Sequence, residues 1–395
     1  MTEIESEHFP IFDPQSIAAE RNRHVPPRRV SMNGMPVWLV SRYDEVRECL
    51  SNPALSPPAA FAAEQGQATP LSGLFEDTVI GSNPPTHTRL RQPLTKVFNI
   101  RRVDQLRPRI QEVTDSLLDE VAADGGADLV PALAVPLPLL VICELLGVPT
   151  TDRELIHRNA QAMLASGFDP EAIAASQAAA AELWSYMADL TERKRRSPGN
   201  DLVSDLVAAS DEERLSEREL VAGCRALVIA GYELTSGFIG NALHSLLSRP
   251  EVAAGLRERP EIDLRGVDEL LRHDGPGQFN VRFVNVDFAL GGVDMHPGDQ
   301  VLLDLEAANT DPSRYVDGKE LDLTRDSAMH VQFGYGIHFC VGAPLARVEG
   351  EIAINTLFRR FPDIELAKPA DEMARNANPF QRSLSELPVR FSPRG

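Results

Sequence analysis

The sequence predicts a mainly α protein with a minor β region, and three observations lead to this prediction. Residues 87–211 show the apolar spacing of successive helices and include an alanine-rich run that strongly favours helix. A second long helix is predicted from residue 216 to about residue 248. Residues 280–303 instead alternate polar and apolar side chains, as short β-strands do. Helices should therefore dominate the fold, with small sheets at one side.

Shorter elements are expected on either side of these segments. Near the N-terminus, residues 37–40 favour a strand and residues 43–51 favour a helix. Residues 52–82 are rich in proline, alanine and glycine and are predicted to form one long loop, which in a compact domain is usually functional. Residues 387–391 are a further candidate strand.

The second long helix has a clear start signal. Ser216 and Glu219 stand in the pattern of a capping box, in which each side chain bonds to the backbone of the other. Roughly 30 residues at 1.5 Å per residue span about 45 Å, which is enough to cross a whole domain. We therefore expect this helix to be the central element of the fold.

Composition limits the class of protein. The 395 residues are 43% hydrophobic and 25% charged, which is ordinary for a globular protein. Neither a linker-like segment nor a repeat is evident, so residues 1–395 are predicted to form a single domain. The net charge of −19 disfavours nucleic acid and anionic membranes as partners. Without a long apolar run or a signal-peptide core, the protein is expected to be cytoplasmic.

One cysteine stands out from the other three. The four cysteines are widely spaced without a CxxC pair, so zinc sites and disulfide frameworks are not expected. Cys340 ends a glycine-kinked aromatic loop, residues 333–342, directly before a predicted apolar helix at 343–361. Free amides and the dipole of a helix N-terminus stabilise a thiolate. The pattern favours a thiolate ligand to a metal; the alternative is a buried free cysteine in a turn.

The loop sequence FGYGIHFCVG resembles the haem-binding loop of the cytochrome P450 family, and residues 343–347, APLAR, resemble its bacterial soluble branch. The resemblance extends from about residue 37 to residue 391, with further motifs in the family order. It implies the cytochrome P450 fold, with haem b (iron protoporphyrin IX) between the long central helix and the Cys-loop helix. Cys340 would then be the axial thiolate ligand of the iron.

His87 and Arg91 lie four residues apart, on one face of a predicted helix. Two cations on one face suit an anion placed between them, and arginine recognises carboxylates well. The alternative is a solvated basic face. The resemblance implies that His87 and Arg91 bind the haem propionates together with Arg282 and His338.

An acidic residue interrupts the apolar part of the central helix. Glu233 is costly there unless it is paired or functional, and Gly231 weakens the helix enough to indicate a packing or ligand reason. The alternative is a buried glutamate that meets an arginine. The resemblance implies that this acid and a following threonine deliver protons to bound dioxygen.

The residue after the acid departs from that pattern. Leu234 occupies the threonine position and cannot donate a hydrogen bond, while Thr235 lies about 100° further around the helix. We therefore assign Glu233, Leu234 and Thr235 as the candidate catalytic residues. A substrate hydroxyl or an ordered water would stand in for the missing donor.

Glu269 and Arg272 are three residues apart, on one helical face, which alone is a weak signal. The resemblance implies that they join Arg325 in a structural triad. Basic residues that could form a docking face for an acidic ferredoxin, or be ordinary solvated charges, are Lys96, Arg101, Arg102, Arg347, Arg359 and Arg360.

The function implied by the resemblance is that of a haem-thiolate monooxygenase. It would insert one oxygen atom from O2 into a C–H or C=C bond of an apolar, natural-product-like molecule. Electrons would come from a ferredoxin and a ferredoxin reductase, and the enzyme is expected to be a monomer. Alternatives are oxidative coupling, peroxide-driven chemistry, or haem binding without turnover. The predicted substrate contacts are Ala226, Ala230, Leu234, Phe279, Asn280, Val281 and Phe380.

Overall fold

Helices dominate the structure and strands are short, which confirms the predicted mainly α fold with a minor β region. The structure is a computed structural model, and the residues that it describes are 7–9, 11, 17, 21, 23–32, 34–66, 75–98, 100–164, 170–211, 215–259, 261–376 and 378–393.

The α-helices in chain order are α1 (Tyr43–Ser51), α2 (Pro58–Glu64), α3 (Thr86–Val97), α4 (Ile100–Asp119), α5 (Pro136–Leu145), α6 (Arg153–Leu164), α7 (Pro170–Arg196), α8 (Leu202–Asp211), α9 (Glu217–Leu247), α10 (Pro250–Glu258), α11 (Leu264–Asp274), α12 (Leu305–Asn309) and α13 (Ala343–Arg360). The strands are β1 (Glu7–His8), β2 (Arg28–Met32), β3 (Met35–Val40), β4 (Leu55–Ser56), β5 (Gly126–Asp128), β6 (Phe279–Val284), β7 (Phe288–Leu290), β8 (Val293–Met295), β9 (Gln300–Asp304), β10 (Glu365–Leu366) and β11 (Pro388–Arg390).

The chain packs as two compact units, and the prediction of one domain over residues 1–395 stays a prediction. The first unit comprises Met1–Thr69, Asp263–Cys340 and Asn376–Arg382. The second unit comprises Pro70–Ile262, Val341–Arg375 and Ser383–Gly395.

The first unit is built on a six-stranded sheet in the order β1-β2-β3-β9-β6-β4. β3 and β9 run parallel, whereas β6 and β9 are antiparallel with Arg282 opposite Val301. β7 and β8 form a hairpin around Gly291 and Gly292, as the alternating pattern predicted. The predicted strand at 37–40 and the predicted helix at 43–51 are confirmed as β3 and α1.

One predicted loop proved to contain regular structure. Residues 52–82 do not form one continuous loop, because β4 and α2 lie within them. Pro58 occupies the first turn of α2, where its fixed φ favours helix, and an alanine-rich run follows it. The remainder of the segment is partly outside the described residues.

The second unit is organised around α9, which packs against α5, α7 and α13. Its start is the predicted capping box: Ser216 and Glu219 bond reciprocally, and the helix runs to Leu247. β10, β11 and β5 form a three-stranded sheet in this unit, which confirms the candidate strand at 387–391. α9 has the length and apolarity of a membrane span, but 78% of its apolar window is buried inside the protein, as in a core helix.

Candidate active site

Cys340 ends a loop whose backbone is shaped by two glycines. Gly334 and Gly336 have φ angles of +71° and +74°, a region that other residues rarely adopt. The Cys340 amide donates to the Phe333 carbonyl at 2.9 Å and closes the loop. Cys340 is exposed, whereas the other three cysteines are buried. This exposure disfavours the alternative of a buried core cysteine and suits a ligand role.

Several large apolar residues precede Cys340 in the loop. The rings of Phe333 and Phe339 meet edge to face with centroids 6.2 Å apart. Ile337 and Phe339 are exposed, which is unusual for such large apolar groups. His338 lies between them in a single 3-10 turn, Gly336–His338. An exposed thiol flanked by exposed apolar groups fits a large, flat apolar cofactor.

Arg282, on β6 of the same unit, is buried with only 6% of its surface exposed. Burial lowers the pKa of its guanidinium to about 10. Its hydrogen bonds go to the side-chain oxygen of Asn280 and to the Val281 carbonyl, at 2.9 Å for the carbonyl. Among the described residues, no carboxylate pairs with Arg282. A buried guanidinium in this state suits an anionic group other than those of the described residues.

The predicted substrate contacts of the first unit fall into two groups. Phe279, Val281 and Phe380 pack on one apolar cluster, where Phe279 is buried edge to face on Phe9 at 5.9 Å. Asn280 instead points its oxygen at Arg282. The structure therefore brings three of these residues together in a core, and it gives Asn280 a polar partner.

In the second unit, most of α9 is buried, but the middle of the helix has one open face. Ala230 and Leu234, one turn apart, are exposed, and Leu234 has 42% of its surface accessible. Gly231 and Glu233, which border this face, are half-buried. Ala226, the third predicted substrate contact on the helix, is buried. An exposed apolar strip on a core helix is the kind of surface that a ligand covers.

The acid and the hydroxyls of α9 lie at different places around the helix. Burial, followed by the negative charge of Glu233, raises the pKa of Tyr232. Thr235 is buried with 7% exposure, so its side chain does not share the accessibility of Leu234. Ser236 donates back to the Tyr232 carbonyl at 2.8 Å. Ser236 thus bonds back to the helix rather than toward the open face.

Helix packing explains why glycine occupies position 231. A Cβ built at Gly231 would lie 2.6 Å from Cγ1 of Ile142 on α5, closer than real side chains approach. α5 and α9 therefore approach each other at a position where only glycine fits.

His87 and Arg91 lie on α3 in the second unit, on one face of the helix as predicted. His87 is buried, and burial and the charge of Arg91 lower the pKa of its imidazole below the ordinary value. The lowered pKa favours an uncharged imidazole beside the guanidinium of Arg91. A neutral imidazole still donates one hydrogen bond to a carboxylate.

Sequence reasoning missed an ion pair on the same helix. Arg89 donates to both carboxylate oxygens of Glu219, at 2.9 and 2.5 Å, over a separation of 130 residues. Glu219 is also the capping-box acid of α9. These bonds, with the Arg89 contact first, lower the pKa of Glu219 to about 2. The pair ties the helix that carries His87 and Arg91 to the start of the central helix.

The triad of Glu269, Arg272 and Arg325 is present and lies in the first unit. Glu269 accepts from Arg272 Nε and Nη2 at 2.7 Å each and from Arg325 Nε at 3.2 Å. Ser327, which sequence reasoning missed, also donates to it. Burial raises the pKa of Glu269, but these bonds outweigh burial and leave the pKa below its ordinary value. The cluster is a fully bonded buried carboxylate, with a structural role.

The residues present fit a haem with a thiolate ligand. The first unit supplies an exposed thiol with exposed apolar neighbours and the buried guanidinium of Arg282. The second unit supplies an apolar open face on α9 and the polar pair of His87 and Arg91. Within the first unit, the thiol matches a soft ligand for iron and the guanidinium matches a hydrogen-bond donor for a carboxylate.

Comparisons with known proteins agree with this chemistry. A family model described as Cytochrome P450 matches residues 265–384. The chain is 40% identical over 372 residues to Vitamin D(3) 25-hydroxylase of Pseudonocardia autotrophica, covering 93% of this chain and 91% of that protein. It is 37% identical over 400 residues to 6-deoxyerythronolide B hydroxylase of Saccharopolyspora erythraea, covering 98% of both.

A solved structure shows the same fold. The cytochrome P450 PksS of the bacillaene polyketide synthase, from Bacillus subtilis 168, superposes with a TM-score of 0.89 at 33% identity. The superposition covers 96% of this chain and 97% of that one. The similarity therefore extends over nearly the whole length rather than over one motif.

Proposed function

Because the chain belongs to the cytochrome P450 family and is a monooxygenase of that family, we propose that it holds haem b on Cys340 and oxygenates an apolar, natural-product-like small molecule. The observation that carries the proposal is the exposed Cys340 at the end of a glycine-shaped loop. When bound, haem with a thiolate ligand supplies the activation of dioxygen for insertion into a C–H or C=C bond.

The chain's own residues would bind both the apolar ring of the haem with its iron and the charged propionates. Cys340 binds the iron, and the apolar groups of Ile337 and Phe339 exclude water from the ring. Arg91, Arg282, His87 and His338 bind the propionates. Arg282 supports this role because its charge is buried without a carboxylate among the described residues.

Substrate binding is proposed on apolar surface. Ala230 and Leu234 form the open strip of α9 and can contact an apolar molecule directly. Ala226, Phe279, Asn280, Val281 and Phe380 complete the proposed set, although Phe279 is largely committed to its core. Two relatives are named for hydroxylation, of vitamin D3 and of 6-deoxyerythronolide B, and this supports a hydroxylation for the present enzyme.

Proton delivery is proposed to depend on Glu233. Leu234 has no donor, and Thr235 is buried, so the side chain after the acid cannot relay a proton. Glu233 with ordered water, or a hydroxyl of the substrate, then supplies it. The alternative function motivated by Leu234 is peroxide-driven or oxidative coupling chemistry.

Electrons are proposed to come from a ferredoxin and its reductase, with the enzyme acting as a cytoplasmic monomer and residues 1–395 as one functional domain. The docking face is less basic than its residues indicate. Arg102 pairs with Asp205, and Arg360 pairs with Asp119 and with Asp115 at 3.5 Å.

Isotope labelling tests the reaction. Purified holoenzyme is supplied with a ferredoxin, its reductase and reductant under heavy dioxygen, with a library of apolar candidate substrates. One heavy oxygen atom in a product supports the proposal. Product formed with hydrogen peroxide, and none with dioxygen and ferredoxin, would favour the peroxide-driven alternative instead.

A further inference from the structure

We propose that Arg47 is a positioning residue for the Cys340 loop, because its guanidinium stacks on Tyr335 inside that loop, 4.1 Å from the ring centroid. The inference rests on the proposed role of Cys340 as the iron ligand. It assigns to α1 the task of holding the loop in one conformation.

The contact between α1 and the loop involves the backbone as well as side chains. Arg47 and Ser51 are one turn apart on α1, and Ser51 Oγ donates to the Arg47 carbonyl at 3.0 Å. A Cβ built at Gly336 would lie 2.8 Å from Cβ and 2.9 Å from Cα of Ser51. The loop therefore rests on α1 with no space between them at this point.

Tyr335 is the side chain through which this contact reaches the cysteine. It lies between Gly334 and Gly336, and because glycine restricts the backbone least, these two residues alone would not fix the loop conformation. The Gly334 amide donates to the Val331 carbonyl at 2.9 Å, and the Cys340 amide donates to the Phe333 carbonyl at 2.9 Å. Movement of Tyr335 would thus displace Phe333, whose carbonyl accepts the hydrogen bond from the Cys340 amide.

Arg47 is itself held by a rigid core. It lies 5.4 Å from the ring centroid of Tyr43, and the Tyr43 hydroxyl donates to the Met329 carbonyl at 2.7 Å. Tyr43 meets Tyr315 edge to face at 5.8 Å, and Arg272 of the buried triad lies over the Tyr315 ring at 5.1 Å. A continuous series of aromatic and guanidinium contacts thus connects the loop to the fully bonded carboxylate of the triad.

A solvated surface cation would not show this arrangement. Arg47 is half-buried, and its planar group stacks on two tyrosines at once. Stacking of this kind is specific to the flat guanidinium, so lysine would keep the charge and lose most of the contact. This difference allows positioning to be separated from simple charge.

The test measures how fast the holoenzyme loses thiolate ligation of the iron. In Arg47→Met, the red-shifted ferrous–CO band that reports thiolate ligation should be lost several-fold faster than in the wild type, since a half-buried cation–π stack is removed. The Fe–S stretching band in resonance Raman spectra should broaden. Arg47→Lys should give an intermediate rate, and it serves as the readout if Arg47→Met does not fold.

Two matched variants make the result specific. Arg314 also stacks on tyrosines, Tyr43 and Tyr315, at 5.7 and 5.5 Å, but not on Tyr335. Arg314→Met should therefore leave the rate of band loss unchanged. Tyr335→Phe keeps the ring and loses only the hydroxyl, so it should stay closer to the wild type than Tyr335→Leu, which should match Arg47→Met.

Equal rates in Arg47→Met and the wild type would overturn the inference, as would an equal acceleration in Arg314→Met. The proposed function fails in a different way. If the wild-type protein itself shows no thiolate band, Cys340 is not the ligand; if it does, only the role of Arg47 is in question.

Discussion

A Cβ at Gly231 would lie 2.6 Å from Cγ1 of Ile142, so the central helix meets α5 where no side chain fits. Alanine favours helix by about 1 kcal/mol over glycine, yet overpacking typically costs about 1–3 kcal/mol. Gly231→Ala should therefore lower the free energy of unfolding, measured by urea denaturation.

Ile142→Ala supplies the control for this prediction. Alone it should destabilise the protein by about 2–5 kcal/mol through the cavity that it leaves. In the double variant, alanine at 231 should cost nothing further, because the clashing atoms are gone. Additive losses in the two variants would show that the close approach is not the reason for glycine.

Glu349 on α13 is a second buried acid, with 1% exposure. Within the described part of the chain, neither carboxylate oxygen has a hydrogen-bond partner, and burial raises its pKa well above the ordinary value. A raised folded pKa gives stability that is present below the unfolded pKa of about 4.3 and is lost as pH rises toward the folded value. As pH rises above the unfolded pKa, the free energy of unfolding of the wild type should therefore fall increasingly below that of Glu349→Gln.

The exposed acid Glu365 is the control, since its ion pair with Arg390 lies in solvent. Glu365→Gln should show little change in stability with pH relative to the wild type. A constant difference between Glu349→Gln and the wild type across this range would contradict a protonated Glu349.

The pair of Arg89 and Glu219 predicts the opposite pH dependence. The pKa of Glu219 is lowered to about 2, chiefly by Arg89, so its contribution is present above the unfolded pKa of about 4.3 and is lost as pH falls toward 2. Arg89→Met should move the acid loss of helix, followed by circular dichroism, to higher pH. Arg158→Met, which removes an exposed pair with Glu182, should leave the acid transition in place.

Haem retention tests the propionate assignment. Charge-assisted bonds contribute about 1.5–3 kcal/mol each, so Arg91→Ala and Arg282→Ala should each speed haem transfer to apomyoglobin by about tenfold or more. Arg390→Ala, at an exposed ion pair, is the matched control. Transfer rates that match the wild type in both variants would indicate that these residues are not propionate ligands.

Leu234 allows a prediction about proton delivery. A substrate analogue that lacks its hydroxyl or amine near the reacting carbon should bind but divert reductant to hydrogen peroxide. Leu234→Thr should restore product formed per reductant consumed with that analogue. Full coupling of the unmodified enzyme with the analogue would exclude the substrate as proton donor and leave Glu233 with water.

The elements that could be predicted are those that depend on residues close together in the sequence. The capping box at Ser216, the helix at Tyr43–Ser51 and the glycine-kinked Cys340 loop depend on neighbouring residues, and each is where the pattern placed it. The helix Pro58–Glu64 carried such a signal as well, proline followed by alanines, and was overlooked among other loop-forming residues.

Contacts across the chain explain what was not predictable. The reason for Gly231 is a side chain on another helix, and Arg89 meets Glu219 across 130 residues, so neither can be found from spacing. The lowered pKa of His87 depends on burial, which a single sequence does not reveal. The stack of Arg47 on Tyr335 is likewise a product of tertiary packing.

The central claim is that Cys340 binds iron as a thiolate, and the ferrous–CO spectrum of two variants tests it most directly. His338→Ala should keep the red-shifted band, whereas Cys340→Ser should lose it while circular dichroism shows the fold retained. A red-shifted thiolate band in Cys340→Ser would contradict the assignment.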